Sequence, residues 1–483
     1  MKITLINPKY VLWSPNVWAP LGLAYVAASL EKAGHKVKII DMNAFKISDK
    51  DVLGMIRNSD AIGIGGLITE YMKIINLANL IKETYPDKPV ILGGPCTTTL
   101  YEKVLDRTKA DYAVIGEGEV STVNLVDAIE KGKTLRKVKG IVFRDKDKTV
   151  MTETQPPIDN IDTIPFPARH LLKMNTYIYD YFKTIGIELE DYKNREIRNT
   201  TILSSRGCPY KCIFCDKGTW GYRWRFRSPQ NIIDEITMLK ERYKINCIFF
   251  DDDTFVIDRN RVEKFSEMMR DLDVIWFCDG RVNLMQSKDI FVKMRQGNCR
   301  VIGYGVESGD QKILDSMKKM ITLDQVRNSV KYAKEADIKV GGFFILGMIG
   351  DTRKTIKKTF EFARELKLDY YTFSVATPYP GTELYDSAVK EGFIKKDQYD
   401  ALYESDWLAN VSANLTKGLT EEDLRKLQNK AFMEFVIKKQ FGKHFYLHPR
   451  FIKEVSKVMI SLRNYDEAKR LGNKIKNIVK SNL

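Results

Sequence analysis

Three cysteines stand close together at 208, 212 and 215, within RGCPYKCIFC, residues 206–215. A C-x3-C-x2-C spacing lets three thiolates wrap one face of a cubane 4Fe–4S cluster, whose irons are normally held by four thiolates. No fourth cysteine lies near in sequence, so one iron is left open for another ligand. A structural zinc site would want four ligands, usually from paired C-x2-C units. There is no second pair, and the histidines are only four: His35, His170, His444 and His448. Cys96, Cys247, Cys278 and Cys299 are scattered, which argues for buried inert thiols over an auxiliary cluster.

The elements around this motif have to present it at the end of a strand. TTILSS runs directly into it. Further strand patterns follow in NCIFFDDD, VIWFCDGR, VIGYGVESG, IKVGGFFILG and DYYTFSVATPYPG, separated by helical patterns. Six such units over residues 196–390 predict a partial (β/α)6 barrel, with the cysteines in the loop after its first strand. Active sites of such barrels lie at that end.

Residues 1–135 also alternate strand and helix, from MKITLIN to ADYAVIGEGE, and predict a doubly wound, Rossmann-like parallel sheet. No G-x-G-x-x-G follows the first strand, so a dinucleotide has no fingerprint here. Residues 136–195 read as a connector, with a β-hairpin in IVFRDKDKTVMTE and a Pro-rich IDTIPFPARHLL. Residues 391–483 read as helical. The fold class is therefore α/β with a helical C-terminal region.

The barrel segment resembles the radical S-adenosylmethionine (SAM) superfamily, in which SAM chelates the open iron and is cleaved to a 5′-deoxyadenosyl radical. Phe214 matches the aromatic residue before the third cysteine. The resemblance implies SAM contacts from Asp252 in FFDDDTF, Arg281 in FCDGR, Glu307 and Ser308 in GVESG, and Gly347 in FFILGMIGDT. In that reading, polar groups at Asp252 approach the SAM amine and Glu307 reaches its ribose. RWRFRSP matches the family's link into the first barrel helix.

APLGLAYVAASLEKAGHKV, GGLITE, VILGGP and ADYAVIGEGE resemble the cobalamin-binding domain fused to one radical SAM class. This implies that Gly65, Gly66, Leu67, Thr69, Gly93 and Gly94 line the cofactor's tail. Glu117, Gly118 and Glu119 would face the corrin. The loop NPKYVLWSPNVWAP has no histidine, unlike the D-x-H-x-x-G loop of many cobalamin domains. The lower cobalt face is then empty, water-filled or covered by Leu12 or Trp13, and His35 is expected to be a surface residue. HFYLHPRFI resembles a C-terminal segment of several members.

The resemblance implies a methyltransferase acting on an unactivated carbon, with a 4Fe–4S cluster, SAM and cobalamin as cofactors. The alternative it implies is a relative that forms a ring or rearranges a carbon skeleton. Methylthiotransferase relatives carry a second cluster, for which cysteines are lacking. A cobalamin sensor that binds nucleic acid would not need the cysteine motif.

The net charge is +15, and residues 438–480 carry twelve Lys or Arg against three acids. A solvated Lys-rich face is the expected role of that tail, and no nucleic-acid partner is expected. MKITLINPKY lacks the apolar core of a signal peptide, and no run approaches the ~20 apolar residues of a membrane span. Cytoplasmic location is expected, with seven cysteines kept reduced, along with an external one-electron donor such as flavodoxin or ferredoxin.

Overall fold

The computed structural model describes residues 1–9, 17–146, 148–396 and 413–441. Leu12 and Trp13, most of the basic tail and HFYLHPRFI lie outside them.

Short apolar runs form the first sheet because both of its faces are covered. It contains β1 (Lys2–Asn7), β2 (Lys36–Asp41), β3 (Ala61–Gly65), β4 (Val90–Gly93), β5 (Tyr112–Val114), β6 (Ile141–Asp145) and β7 (Lys148–Met151). The order is β2-β1-β3-β4-β5-β6-β7. Strands β1 to β5 pair in parallel, and β6 and β7 add an antiparallel hairpin. The expected hairpin therefore forms, as the edge of the first sheet. Two apolar clusters, around Ile62, Ile64 and Leu92 and around Ile3, Leu5 and Ile91, cover the sheet. Chain order reverses between β1 and β3, and the crevice beyond the carboxyl ends of such strands is where α/β sheets bind ligands.

The connector has no long element, yet it is firmly held. Arg169 is buried in it, and Nη2 donates to the Thr201 carbonyl at 2.7 Å and to Glu235 Oε1 at 3.0 Å. Tyr177 Oη donates to Asp41 Oδ2 at 2.9 Å, tying the connector to β2.

The second sheet is the open barrel: β8 (Asn199–Ile202), β11 (Cys247–Phe250), β12 (Ile275–Gly280), β13 (Cys299–Glu307), β14 (Lys339–Leu346) and β15 (Tyr370–Val375), all parallel. Between β8 and β11 lies a two-residue ribbon of β9 (Ser205–Arg206) and β10 (Arg225–Phe226). Six-unit alternation is thus realised as expected. Phe182, Ile187, Leu189, Tyr192 and Ile197 of the connector cluster with barrel residues Cys247, Ile275, Phe277, Val301 and Tyr370. Helix Glu421–Ala431 sets Leu424 into the barrel's main cluster. Among the described residues no helix is long and apolar enough to cross a membrane.

Candidate active site

Strand β8 delivers the chain to the cysteine loop, and the next residues are pinned before the loop begins. Asp252 accepts four hydrogen bonds of 2.5–3.1 Å, from the amides and hydroxyls of Ser204 and Ser205. Burial pushes its carboxyl up, against the pull of Arg261 and of the two serines. Asp252 is therefore spent on shaping the chain ahead of the cysteines. Its expected contact with the SAM amine does not fit, and Asp251 is the acid of this strand end that remains unpartnered among the described residues.

Gly207 then turns the chain at φ +80°, where an added methyl would strike the Arg223 carbonyl. Only glycine takes such a turn without strain. Cys208 is buried, with Sγ 4.0 Å from Thr254 Oγ1. Cys212 and Cys215 are half-buried. The far side of the loop is tied to the barrel by Ile213 N on Met317 O at 3.1 Å and by Leu384 N on Ile213 O at 2.9 Å.

Cations border the thiols. Arg281 Nη1 lies 3.5 Å from Cys212 Sγ, and its guanidinium sits 3.6 Å above the Tyr210 ring. Arg281 also donates to the Lys319 carbonyl. Lys217 Nζ is 3.6 Å from Asp253 beside Cys215.

Glu307, at the end of β13, is buried and held at φ +62°. A non-glycine residue there is strained and needs a local cause. Lys319 Nζ donates to its Oε1 at 2.6 Å, and the same ammonium lies 5.8 Å from the Phe214 ring centre. Glu307 and Phe214 thus flank one lysine. Ser308 is different from expectation: its hydroxyl pairs with Thr359 Oγ1 at 3.2 Å and accepts from Asp310 N, so it is committed to the barrel wall. Gly347 gives its amide to Asp351 Oδ2 at 2.9 Å and rests against Leu424.

In the first unit, Gly65 and Gly66 end β3, and Gly93 and Gly94 join β4 to helix Gly94–Arg107. Gly94 has φ +83°, and a methyl there would lie 3.0 Å from the Gly66 carbonyl, so the two turns press together. Leu67 is exposed and Thr69 half-buried beside them. Glu70 caps the turn by accepting from Leu67 N at 2.7 Å, and burial pushes its carboxyl up to about 7. Thr97 and Thr99, in the first turns of that helix, have buried hydroxyls without a partner among the described residues. A methyl on Gly218, just past Cys215, would lie 3.0 Å from Thr99 Oγ1, and one on Gly381 would lie 2.7 Å from its methyl group. The glycine turns and the cysteine loop therefore share one seam.

Three further expectations need correction. Glu117 and Glu119 do not stand free in the loop before helix Gly118–Glu130. Glu117 accepts from Arg206 at 2.9 Å and from Arg225 at 2.9 Å, and Glu119 pairs with Arg206, all four residues being buried. Buried carboxylates are paired or hydrogen-bonded, and the loop's partner here is the barrel. A methyl on Gly118 would lie 3.0 Å from Val26, so this glycine faces helix Leu21–Lys32 rather than an open crevice. His35 is buried, not on the surface; it meets the N-terminal amine at 3.3 Å and Asp127 at 3.3 Å.

Sequence reasoning missed Arg206, Arg225 and Lys319, because a charge beside a motif has no periodic signature. It also missed Thr97 and Thr99, although a threonine run opening a helix after Gly–Gly was a readable signal.

A radical SAM superfamily model matches residues 202–363, and a B12-binding domain model matches residues 10–126. The chain is 32% identical over 476 residues to the uncharacterized methyltransferase PH0819 of Pyrococcus horikoshii, covering 95% of this chain and 98% of that protein. It belongs to the cobalamin-binding radical SAM family. Another relative is the anaerobic magnesium-protoporphyrin IX monomethyl ester cyclase of Rubrivivax gelatinosus, 27% identical over 471 residues, with 92% and 81% of the two chains covered. Among solved structures, the cobalamin-dependent SAM radical enzyme OxsB, with aqua-cobalamin and SAM bound, has the same fold. Its TM-score is 0.71 at 16% identity, over 99% of this chain and 70% of that one.

The cofactors of this family are a 4Fe–4S cluster, SAM and cobalamin, and the residues present fit them. Three thiols on one loop, with Arg281 beside Cys212 and Lys217 beside Cys215 to offset thiolate charge, suit an iron–sulfur cluster. The unpartnered Thr99 hydroxyl lies where the helix after β4 meets the residues just past Cys215, a place for a polar group of a ligand.

Proposed function

We propose that this radical SAM enzyme methylates an unactivated carbon. The observation that carries the reading is the shared seam: Thr99 of the B12-binding unit abuts Gly218, three residues beyond Cys215. A methyl carrier and a radical source held on either side of such a seam can act on one substrate carbon. When bound, the cluster and SAM supply a 5′-deoxyadenosyl radical, and cobalamin carries a methyl group; the chemistry is the cofactors' and the chain positions them.

In this reading Cys208, Cys212 and Cys215 hold three irons. Arg281 and Lys217 offset the thiolate charge. Glu307, oriented by Lys319, takes the ribose hydroxyls, with Phe214 and the backbone at Gly347 along the adenine. Gly65, Gly66, Leu67, Thr69, Gly93 and Gly94 line the cobalamin tail, joined by Thr97 and Thr99. Flavodoxin or ferredoxin supplies the electron. The methyltransferase name of the Pyrococcus horikoshii relative supports methylation.

The cyclase relative favours a second reading, in which the same radical closes a ring without methyl transfer. Product analysis separates them. Metabolites of a deletion strain and its parent identify the substrate, and turnover with purified enzyme follows. Two SAM consumed per methylated product is the expected result. A product without an added methyl group would replace this reading with the second.

A further inference from the structure

The barrel lumen holds a row of residues that neither the cluster nor the SAM contacts use. Register across the sheet pairs Asp279 of β12 with Gly303 of β13, Gly303 with Gly341 of β14, and Gly341 with Tyr370 of β15. Phe250 pairs with Cys278, so the next residues, Asp251 and Asp279, stand side by side on neighbouring strands. Parallel strands are about 4.8 Å apart. One layer across five strands is therefore Asp, Asp, Gly, Gly, Tyr.

The two glycines make room for the tyrosine. A methyl on Gly303 would overlap the Asp279 carboxylate and lie 2.7 Å from Tyr370 Oη, and one on Gly341 would enter the Tyr370 ring. The tyrosine lies across the glycines and aims its hydroxyl at Asp279's side of the lumen. Tyr370 is 8% exposed, and its hydroxyl has no hydrogen-bond partner among the described residues. Asp251 and Asp279 likewise have neither a hydrogen bond nor an ion pair to their side chains among them, although both remain open to solvent.

Directly beneath the acids is an aromatic floor. Side chains alternate along a strand, so Phe249 and Phe277 share the face of Asp251 and Asp279 one step below. Their rings stack at 4.5 Å, Tyr181 stacks on Phe277 at 5.3 Å, and Trp18 closes against Tyr181 at 5.3 Å and Phe249 at 5.6 Å. Trp18 comes from the first unit.

Two adjacent carboxylates over aromatic rings, with no cation paired to them among the described residues, form an incomplete site. Desolvation pushes both carboxyls up to about 7, with Asp251 adding to the rise at Asp279. Like charges so placed resist ionising together, and an incoming cation relieves them. Ring faces favour the same guest. We propose that Asp251, Asp279 and Tyr370 form the substrate's anchoring site and that they bind a protonated nitrogen on it. Calling this ligand the substrate rests on the proposed function; the binding itself needs no turnover.

Equilibrium dialysis of the cluster-, SAM- and cobalamin-loaded protein tests this with three probes of one shape: phenethylamine, 2-phenylethanol and phenylacetate. The amine is expected to bind roughly ten-fold or more tighter than the alcohol, and phenylacetate weakest. Asp251→Asn and Asp279→Asn, singly and together, should erase the preference while iron content and SAM affinity hold. Tyr370→Phe should weaken amine binding less. Equal or undetectable binding of the three probes would overturn the proposal. So would a preference that survives both Asn variants, or a loss of SAM affinity in them, which would assign the layer to SAM. Release of 5′-deoxyadenosine on reduction, measured in the same preparation, reports separately on the radical reading.

Discussion

Arg206 Nη1 lies 2.9 Å from Glu117 Oε1, joining the residue two before Cys208 to the loop that follows β5 of the first sheet. The contact is buried, and Arg225 of the ribbon shares the same carboxylate at 2.9 Å. Removing one member of a buried pair leaves an uncompensated charge and costs about 3–5 kcal/mol. Glu117→Ala should therefore lower anaerobic unfolding free energy by that order and loosen cluster retention. Equal unfolding midpoints for variant and parent would mean that the clamp does not hold the two units.

A second prediction concerns the ligands of the cluster. Reconstitution should give about four irons and four sulfides per chain. Cys208→Ala, Cys212→Ala and Cys215→Ala should each abolish SAM cleavage, whereas Cys299→Ala should keep the iron. Cys96 is fully buried, and burial pushes its thiol up, away from ligation. A Cys96→Ala protein that lost its cluster would refute the three-cysteine assignment.

Glu307 and Lys319 make a further test. Glu307→Ala removes both the ion pair at 2.6 Å and the acid proposed to take the ribose hydroxyls. A polar contact to a buried hydroxyl is worth roughly 1–3 kcal/mol, so SAM affinity should fall about 5- to 150-fold at unchanged iron content. Titration calorimetry with unchanged affinity would move the ribose elsewhere.

Glu70 gives a pH prediction. Its folded value of about 7 lies above the ordinary 4.5, through burial first and Asp41 second, against the Leu67 amide. The neutral form is the one the fold prefers. This contribution is therefore complete below the unfolded value and is lost as pH rises through about 7. At pH values above that range, Glu70→Gln should stabilise the protein by roughly 3 kcal/mol, with little effect under acid conditions. Melting curves with equal differences at both ends would contradict it.

The elements were legible where chemistry and period coincide. Six strand patterns sufficed for the barrel because parallel strands buried on both faces read as apolar runs, and Cys208, Cys212 and Cys215 are adjacent in sequence. Pairings across the chain were not legible. Glu117 looks like a free acid in ADYAVIGEGE, because its partner Arg206 is 89 residues away. Asp251, Asp252 and Asp253 are equivalent as letters. Only the fold sends Asp252 to Ser204 and Ser205 and leaves Asp251 in the lumen. His35 reads as a surface residue because the N-terminal amine that meets it has no signature of its own.

The fate of the SAM methyl group separates methyl transfer from ring formation. Purified, anaerobically reduced protein loaded with cobalamin is given SAM carrying a trideuterated methyl. Both S-adenosylhomocysteine and 5′-deoxyadenosine are expected, with deuterium recovered by mass spectrometry in the corrin fraction. Release of 5′-deoxyadenosine without S-adenosylhomocysteine, and with an unlabelled corrin, would contradict methyl transfer and leave the ring-forming reading in its place.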